Sequence, residues 1–189
     1  MSAVQAPYGL RAVNELGGLP YAGSTRQFPI SSASANIYNG SVVAVNTSGL
    51  VTLVTTVGSD ASPFPAGVVG VFVGCTYVNA QGQVIYAQYF PTGTTGAIAY
   101  VIDDDRAVFQ VQANGTLGQT ALGANVVFAA AQTGSTSTGN STTAISTTLA
   151  ATATIAFKVV GFVESTTSTV GDAYTDVLVK FNVGSHAYN

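Results

Sequence analysis

Asp103, Asp104 and Asp105, followed at once by Arg106, are the densest gathering of ionisable groups in a chain of 189 residues with only eight acidic and five basic side chains. Adjacent carboxylates can hold a divalent cation or activate a water, so they are the first place to look for chemistry. Calcium loops, however, set their oxygen ligands at alternate positions and close with a glutamate. Three consecutive residues in a strand point to opposite faces. Asp103, Asp104 and Asp105 are therefore metal candidates only if one or two of them share a cation in a turn. The structural reading is stronger: the run ends one strand, "GAIAYVI", and leads into another, "AVFQVQA", and aspartate suits turns because its carboxylate accepts local backbone N–H groups. Arg106 is then expected to pair with Asp104 or with a neighbouring subunit.

The rest of the catalytic inventory is thin. His186 is the sole histidine, so two-histidine metal motifs are impossible. A Ser-His-Asp triad would need His186 as its base, and no G-x-S-x-G turn supplies the nucleophile. The chain has no phosphate-binding G-x-x-x-x-G-K-[ST] loop and no G-x-G-x-x-G after a strand. Cys75 is the single cysteine, in "GVFVGCTYV", where it reads as a small buried apolar residue. The expectation is a protein that is not an enzyme and needs no cofactor.

The elements around these residues read as all-β. Runs such as "SVVAVN", "LVTLVTT", "AGVVGVFVGCTYV", "QVIYAQYF", "AVFQVQA", "TIAFKVVGFVE" and "TDVLVKFNV" are rich in Val, Ile, Phe, Tyr and Thr, with spacers such as "NTSG" and "NAQGQ". Eight or nine strands at this spacing predict an antiparallel β-sandwich or β-barrel, jelly-roll-like, with an extended N-terminal arm. "GQTALGANVVFAAA" has room for one helical turn. Residues 1–30 carry Pro and Gly and no sustained period, which predicts an arm whose spaced apolar residues lie along its own surface or a neighbour's. Residues 31–189 form the single β domain. Within it, "QTGSTSTGNSTTAISTT", about 132–148, is too polar to fold alone and is expected as an exposed surface loop or the tip of a hairpin.

Charged residues are 7% of the chain and hydrophobic ones 47%, against about 25% charged in ordinary soluble proteins. Interface cores are depleted in charge, so this deficit suits a chain that covers its exterior with other subunits. The net charge of −3 and the lack of basic runs argue against direct nucleic-acid binding. No window is long and apolar enough for a membrane helix, and the start lacks signal-peptide features. The expectation is synthesis and retention in a cytoplasm, with the sequons at Asn46, Asn114 and Asn140 being loop composition.

Three segments together, "PYGLRAVNELGGLPYAGSTRQFPI", "VIDDDRAVFQVQANG" and "KVVGFVESTTSTVGDAYTDVLVKFNVGSHAYN", resemble a family of small structural proteins encoded beside the major capsid gene in tailed bacteriophages, cyanophages among them. "GVFVGCTYVNAQGQVIYAQYFPTG" fits the same pattern. The resemblance implies a head decoration, or cement, protein on the outer surface of the virion capsid, made in the host cytoplasm. It would stabilise contacts between capsomers, with the major capsid protein and itself, as a homotrimer, for partners. Many relatives have two Asp followed by Pro in the central motif, so Asp105 departs from it. On this reading Tyr8, Leu10, Arg11, Tyr21, Arg26 and Phe28 contact the capsid or an adjacent subunit. The competing expectation is a tail or fibre-associated adhesin that binds host surface glycans.

Overall fold

The computed structural model describes residues 4–58, 67–150 and 155–182; His186 lies outside them. The strands are β1 (Arg11–Glu15), β2 (Arg26–Pro29), β3 (Ile37–Tyr38), β4 (Ser41–Val45), β5 (Val51–Leu53), β6 (Val68–Val78), β7 (Val84–Ala87), β8 (Tyr89–Phe90), β9 (Ile98–Ile102), β10 (Ala107–Gln112), β11 (Asn125–Val126), β12 (Phe157–Phe162) and β13 (Asp176–Phe181). Among the described residues one 3₁₀ turn occurs, at Gln119–Ala121, and it is the helical turn anticipated in "GQTALGANVVFAAA". The chain is all-β and its sheets are antiparallel.

Sheet one has the order β1-β10-β13-β12-β11, and sheet two the order β2-β9-β6-β4-β5, with β7 paired to the far end of β6. The two sheets pack face to face as in a β-sandwich, and sheet two curls so that its two edges approach: Ile30, next to β2, bridges Val51 of β5, and the Ser31 N–H donates to the Val51 carbonyl at 2.9 Å. A core lies between the sheets: Phe109, Phe157, Val159, Val177, Val179 and Phe181 from sheet one meet Val42, Ala44, Val71 and Ile102 from sheet two. Phe157 stands 5.3 Å from Phe128 and 5.1 Å from Phe181, centroid to centroid, giving the core an aromatic spine. A second core covers the opposite face of sheet two, where Val43, Val69, Phe72, Cys75, Ala99 and Val101 pack with Ile30, Ile37 and Phe90. Burial on both faces explains why "SVVAV" and "VVGVF" lack polar alternation.

Two hairpins use one device. In "NTSG" Asn46 Oδ1 accepts the N–H groups of Ser48 and Leu50, and in "NAQG" Asn79 Oδ1 accepts those of Gln81 and Gln83. Gly49 and Gly82 take the left-handed conformation, φ +75° and +79°, that closes each loop.

Two sequence expectations are refined by the structure. Residues 1–30 were expected as an extended arm without regular strands, lying along its own surface or a neighbour's; the described part, 4–30, lies along its own chain and contains two regular strands. β1 pairs with β10 in sheet one and β2 with β9 in sheet two, so this stretch forms an edge of each sheet. Its apolar residues found partners in its own chain, and strand pairing did not require alternation at an edge. Of the two expectations for the Ser/Thr-rich segment, an exposed loop or the tip of a hairpin, the second holds: 133–142 form a hairpin exposed at Thr136–Thr138, and the flanking residues are docked on the domain. Gly134 bridges Ser141, Asn140 bridges Asn39, and Ile145 bridges both Ala113 and Phe128. Ser141, Thr143 and Ile145 are all buried. The segment does not fold alone; it docks, with alternate side chains turned inward.

Candidate interaction surface

The aspartate run forms a corner between the two sheets. β9 belongs to sheet two and β10 to sheet one, so Asp103–Arg106 carries the chain across. Asp104 Oδ1 accepts the Arg106 N–H at 2.8 Å, as expected of a turn aspartate. The Arg106 backbone, rather than its guanidinium, makes the contact with Asp104. Asp103 instead meets Arg26 at 2.9 Å, and Leu16 N–H donates to the Arg106 carbonyl at 2.8 Å, so both chain crossings are tied at one corner. Tyr21 overlooks this corner. Burial, and then the negative charges of Asp104, Asp103 and Glu15, push its phenol up from the usual value. Among the described residues no three His, Cys, Asp or Glu side chains converge on a point where a metal could sit.

Cys75 lies under sheet two, 1% exposed, with its Sγ against the Tyr89 carbonyl. Burial raises its thiol to about 11, so it is a core residue with little thiolate at neutral pH.

The six N-terminal residues expected to make capsid or subunit contacts separate. Leu10 is 2% exposed in the inter-sheet core, and Phe28 packs on the second core. Leu10 is committed within the subunit, while Phe28 is half-buried and keeps part of its ring at the surface. Tyr8 lies on the outer face of sheet one, its hydroxyl donating to Asp176 Oδ1 at 3.1 Å and its ring under the Arg11 guanidinium at 4.4 Å. Burial pushes the Tyr8 phenol far up and raises the Asp176 carboxyl as well. Tyr21 donates to the Ser24 carbonyl. Arg11 and Arg26 remain exposed.

A surface that these residues did not announce lies on sheet two. Its inward face carries Ile102 and Val71 into the core, but the same face continues beyond the reach of sheet one. Tyr100 and Ile98 follow Ile102 by alternation on β9. The register places Gly74 beside Tyr100, Thr76 beside Ile98 and Tyr86, and Val78 beside Val84. Gln27 and Pro29 extend the rows onto β2. Tyr86 is 77% exposed, Val84 58% and Val78 56%. Thr76 Oγ1 and the Tyr100 hydroxyl lie 2.9 Å apart, which holds the centre of the face rigid. Gly74 has no side chain, and this leaves an open depression of about 230 Å³ walled by Tyr86, Gln88 and Tyr100.

None of these residues carries an acidic or basic group. Contiguous exposed apolar side chains on a rigid sheet mark interaction sites. Sequence reasoning missed the face although "QVIYAQY" signals it: Val84 and Tyr86 alternate with Ile85 and Ala87. What the sequence did not reveal is that sheet one stops short.

Comparison of the chain with protein-family models, curated proteins and solved structures finds no match.

Proposed function

We propose that the chain is a structural virion protein, a cement or decoration protein seated on the outer surface of a phage head and bound to the major capsid protein. The observation that carries this reading is the neutral Tyr86–Val84–Val78 face, left uncovered in a chain that is only 7% charged. The resemblance of the three sequence segments to capsid-adjacent phage proteins supplies the partner.

The energetics favour several linked copies. Tyr86, Val84 and Val78 are already partly covered, so burying the rest gains about 1–2 kcal/mol each, while association of one copy costs about 4–15 kcal/mol in lost freedom. One face alone is a weak ligand. Three copies joined as a homotrimer make the second and third contacts intramolecular, which multiplies affinity without new contacts. Binding the closed shell but not the open one then stabilises the closed shell by mass action.

On this reading a major capsid gene adjoins this one, and the test mixes DNA-filled heads of that capsid protein, stripped of the decoration, with wild type or Tyr86→Glu. Wild type should cosediment and raise the temperature at which the heads release DNA. Failure of wild type to bind any such head overturns the proposal.

A second reading, a tail or fibre-associated adhesin for host glycans, draws on the depression at Gly74. An exposed aromatic ring beside a tyrosine hydroxyl and the Gln88 amide is suited to a sugar ring. Electron microscopy of labelled virions separates the two, since label on the tail eliminates cement.

A further inference from the structure

Basic side chains are scarce here, yet two of the five stand directly opposite one another. Lys158 on β12 pairs in register with Lys180 on β13. Their neighbours Phe157, Val159, Val179 and Phe181 enter the inter-sheet core, so both lysines face outward from sheet one. Like charges directly opposite on a sheet are destabilising. Lys158 Nζ donates to the Gly123 carbonyl at 3.1 Å, and among the described residues neither lysine has a carboxylate at ion-pair distance. Arg11, also on this outer face, brings the basic groups there to three, and among the described strand residues of that face Asp176 is the acidic one.

The opposite imbalance sits at the corner between the sheets. Glu15, Asp103, Asp104 and Asp105 gather there against Arg26 and Arg106. Arg26 takes Asp103, and Asp104 closes the turn, which leaves Glu15 and Asp105 without a cation at ion-pair distance among the described residues. Glu15 pairs with Ala107, whose side chain enters the core, so the body of sheet one stands between Glu15 and the lysines. The two patches cannot neutralise each other within one copy.

We infer that they do so between copies: the outward Lys158–Lys180 pair of one chain receives the Glu15 and Asp105 carboxylates of a second copy. Two ammonium groups without a carboxylate at ion-pair distance meet two carboxylates without a cation at that distance, among the described residues. Because the patches differ, the contact is head-to-tail and repeats around a closed ring or along a filament. It uses the outer face of sheet one, leaving the Tyr86 face free, and it does not depend on capsid binding.

The experiment measures mass by light scattering as salt is raised, which shortens the screening length from about 30 Å at 0.01 M to about 3 Å at 1 M. Wild type should associate at low salt and dissociate at high salt. Lys158→Glu with Lys180→Glu should weaken association about tenfold or more, and so should Glu15→Lys with Asp105→Lys. The chain carrying all four reversals should regain wild-type mass, because the pairs are restored with their signs exchanged. Circular dichroism on each variant checks that the fold is intact. A wild type that is monomeric at low salt, an association indifferent to salt, or a four-fold reversal that fails to recover while folded would each overturn the inference.

Discussion

Gln132 ties the start of the Ser/Thr-rich segment to Val42 and Val54, and replacing it by leucine tests that docking quantitatively. Its amide is buried, with Oε1 accepting the Val42 N–H at 2.7 Å and Nε2 donating to the carbonyls of Val42 at 2.9 Å and Val54 at 2.8 Å. The Val42 carbonyl keeps a second donor in the Val54 N–H. In Gln132→Leu the Val42 N–H and the Val54 carbonyl therefore lose their side-chain partner in a buried place. Each orphaned group costs about 1–3 kcal/mol, and leucine returns part of the packing but none of the bonds. The expected loss is about 3 kcal/mol, which for a domain of this size lowers Tm by about 6–12 °C. Thermal and urea unfolding measure it, with the urea m-value unchanged if the fold is kept. Thr136→Ala, at the exposed tip of the same segment, should change Tm by no more than about 2 °C, since surface substitutions usually lie within about 0.5 kcal/mol. A Gln132→Leu variant as stable as wild type would refute the docked arrangement and restore the loop expected from composition.

Three other perturbations probe separate parts. Gly70→Ala places a Cβ against the Ile102 carbonyl in a backbone conformation, φ +157°, that side chains rarely adopt; the urea midpoint should report a loss of about 3 kcal/mol, and an unchanged midpoint would contradict the close approach of β6 and β9. Asp176 has its carboxyl raised by burial, so the fold favours its protonated form; that contribution is present below the ordinary value of 3.8 and is lost as pH climbs through the raised one. Wild type should thus lose stability relative to Asp176→Asn as pH rises from acid to neutral, and a Tm difference independent of pH would sink this. The Cys75 thiol, buried and raised to about 11, should react with a thiol reagent at pH 8 only as fast as the sheet opens; labelling faster than unfolding would contradict its burial.

Much of the architecture was readable from residue type. The Val-rich runs and the Asn-x-x-Gly spacers carry strand and hairpin chemistry locally, and the aspartate run was correctly seen as a turn between two strands. Its role as a corner between sheets was not readable, because nothing near Asp103 records which sheet each flanking strand joins. Leu10 looked like an anchor for a neighbour, since apolar spacing does not say whose core is filled. The same limit hid the Tyr86 face. Val84 and Tyr86 alternate as any half-buried strand would, and only the relative reach of the two sheets leaves them bare. In the Ser/Thr-rich segment, Ile145 and the alternation of Ser141 and Thr143 were the local trace of docking, outweighed by the composition around them.

The proposal that this chain is a capsid decoration protein rests on the uncovered face of sheet two. The most direct measurement is occupancy of purified heads by Tyr86→Glu, a substitution at a side chain that is 77% exposed and so leaves the fold intact. The account predicts a drop in apparent affinity of about tenfold or more, as for a central aromatic contact, with an unchanged Tm for the free protein. Full occupancy by the folded variant would contradict it.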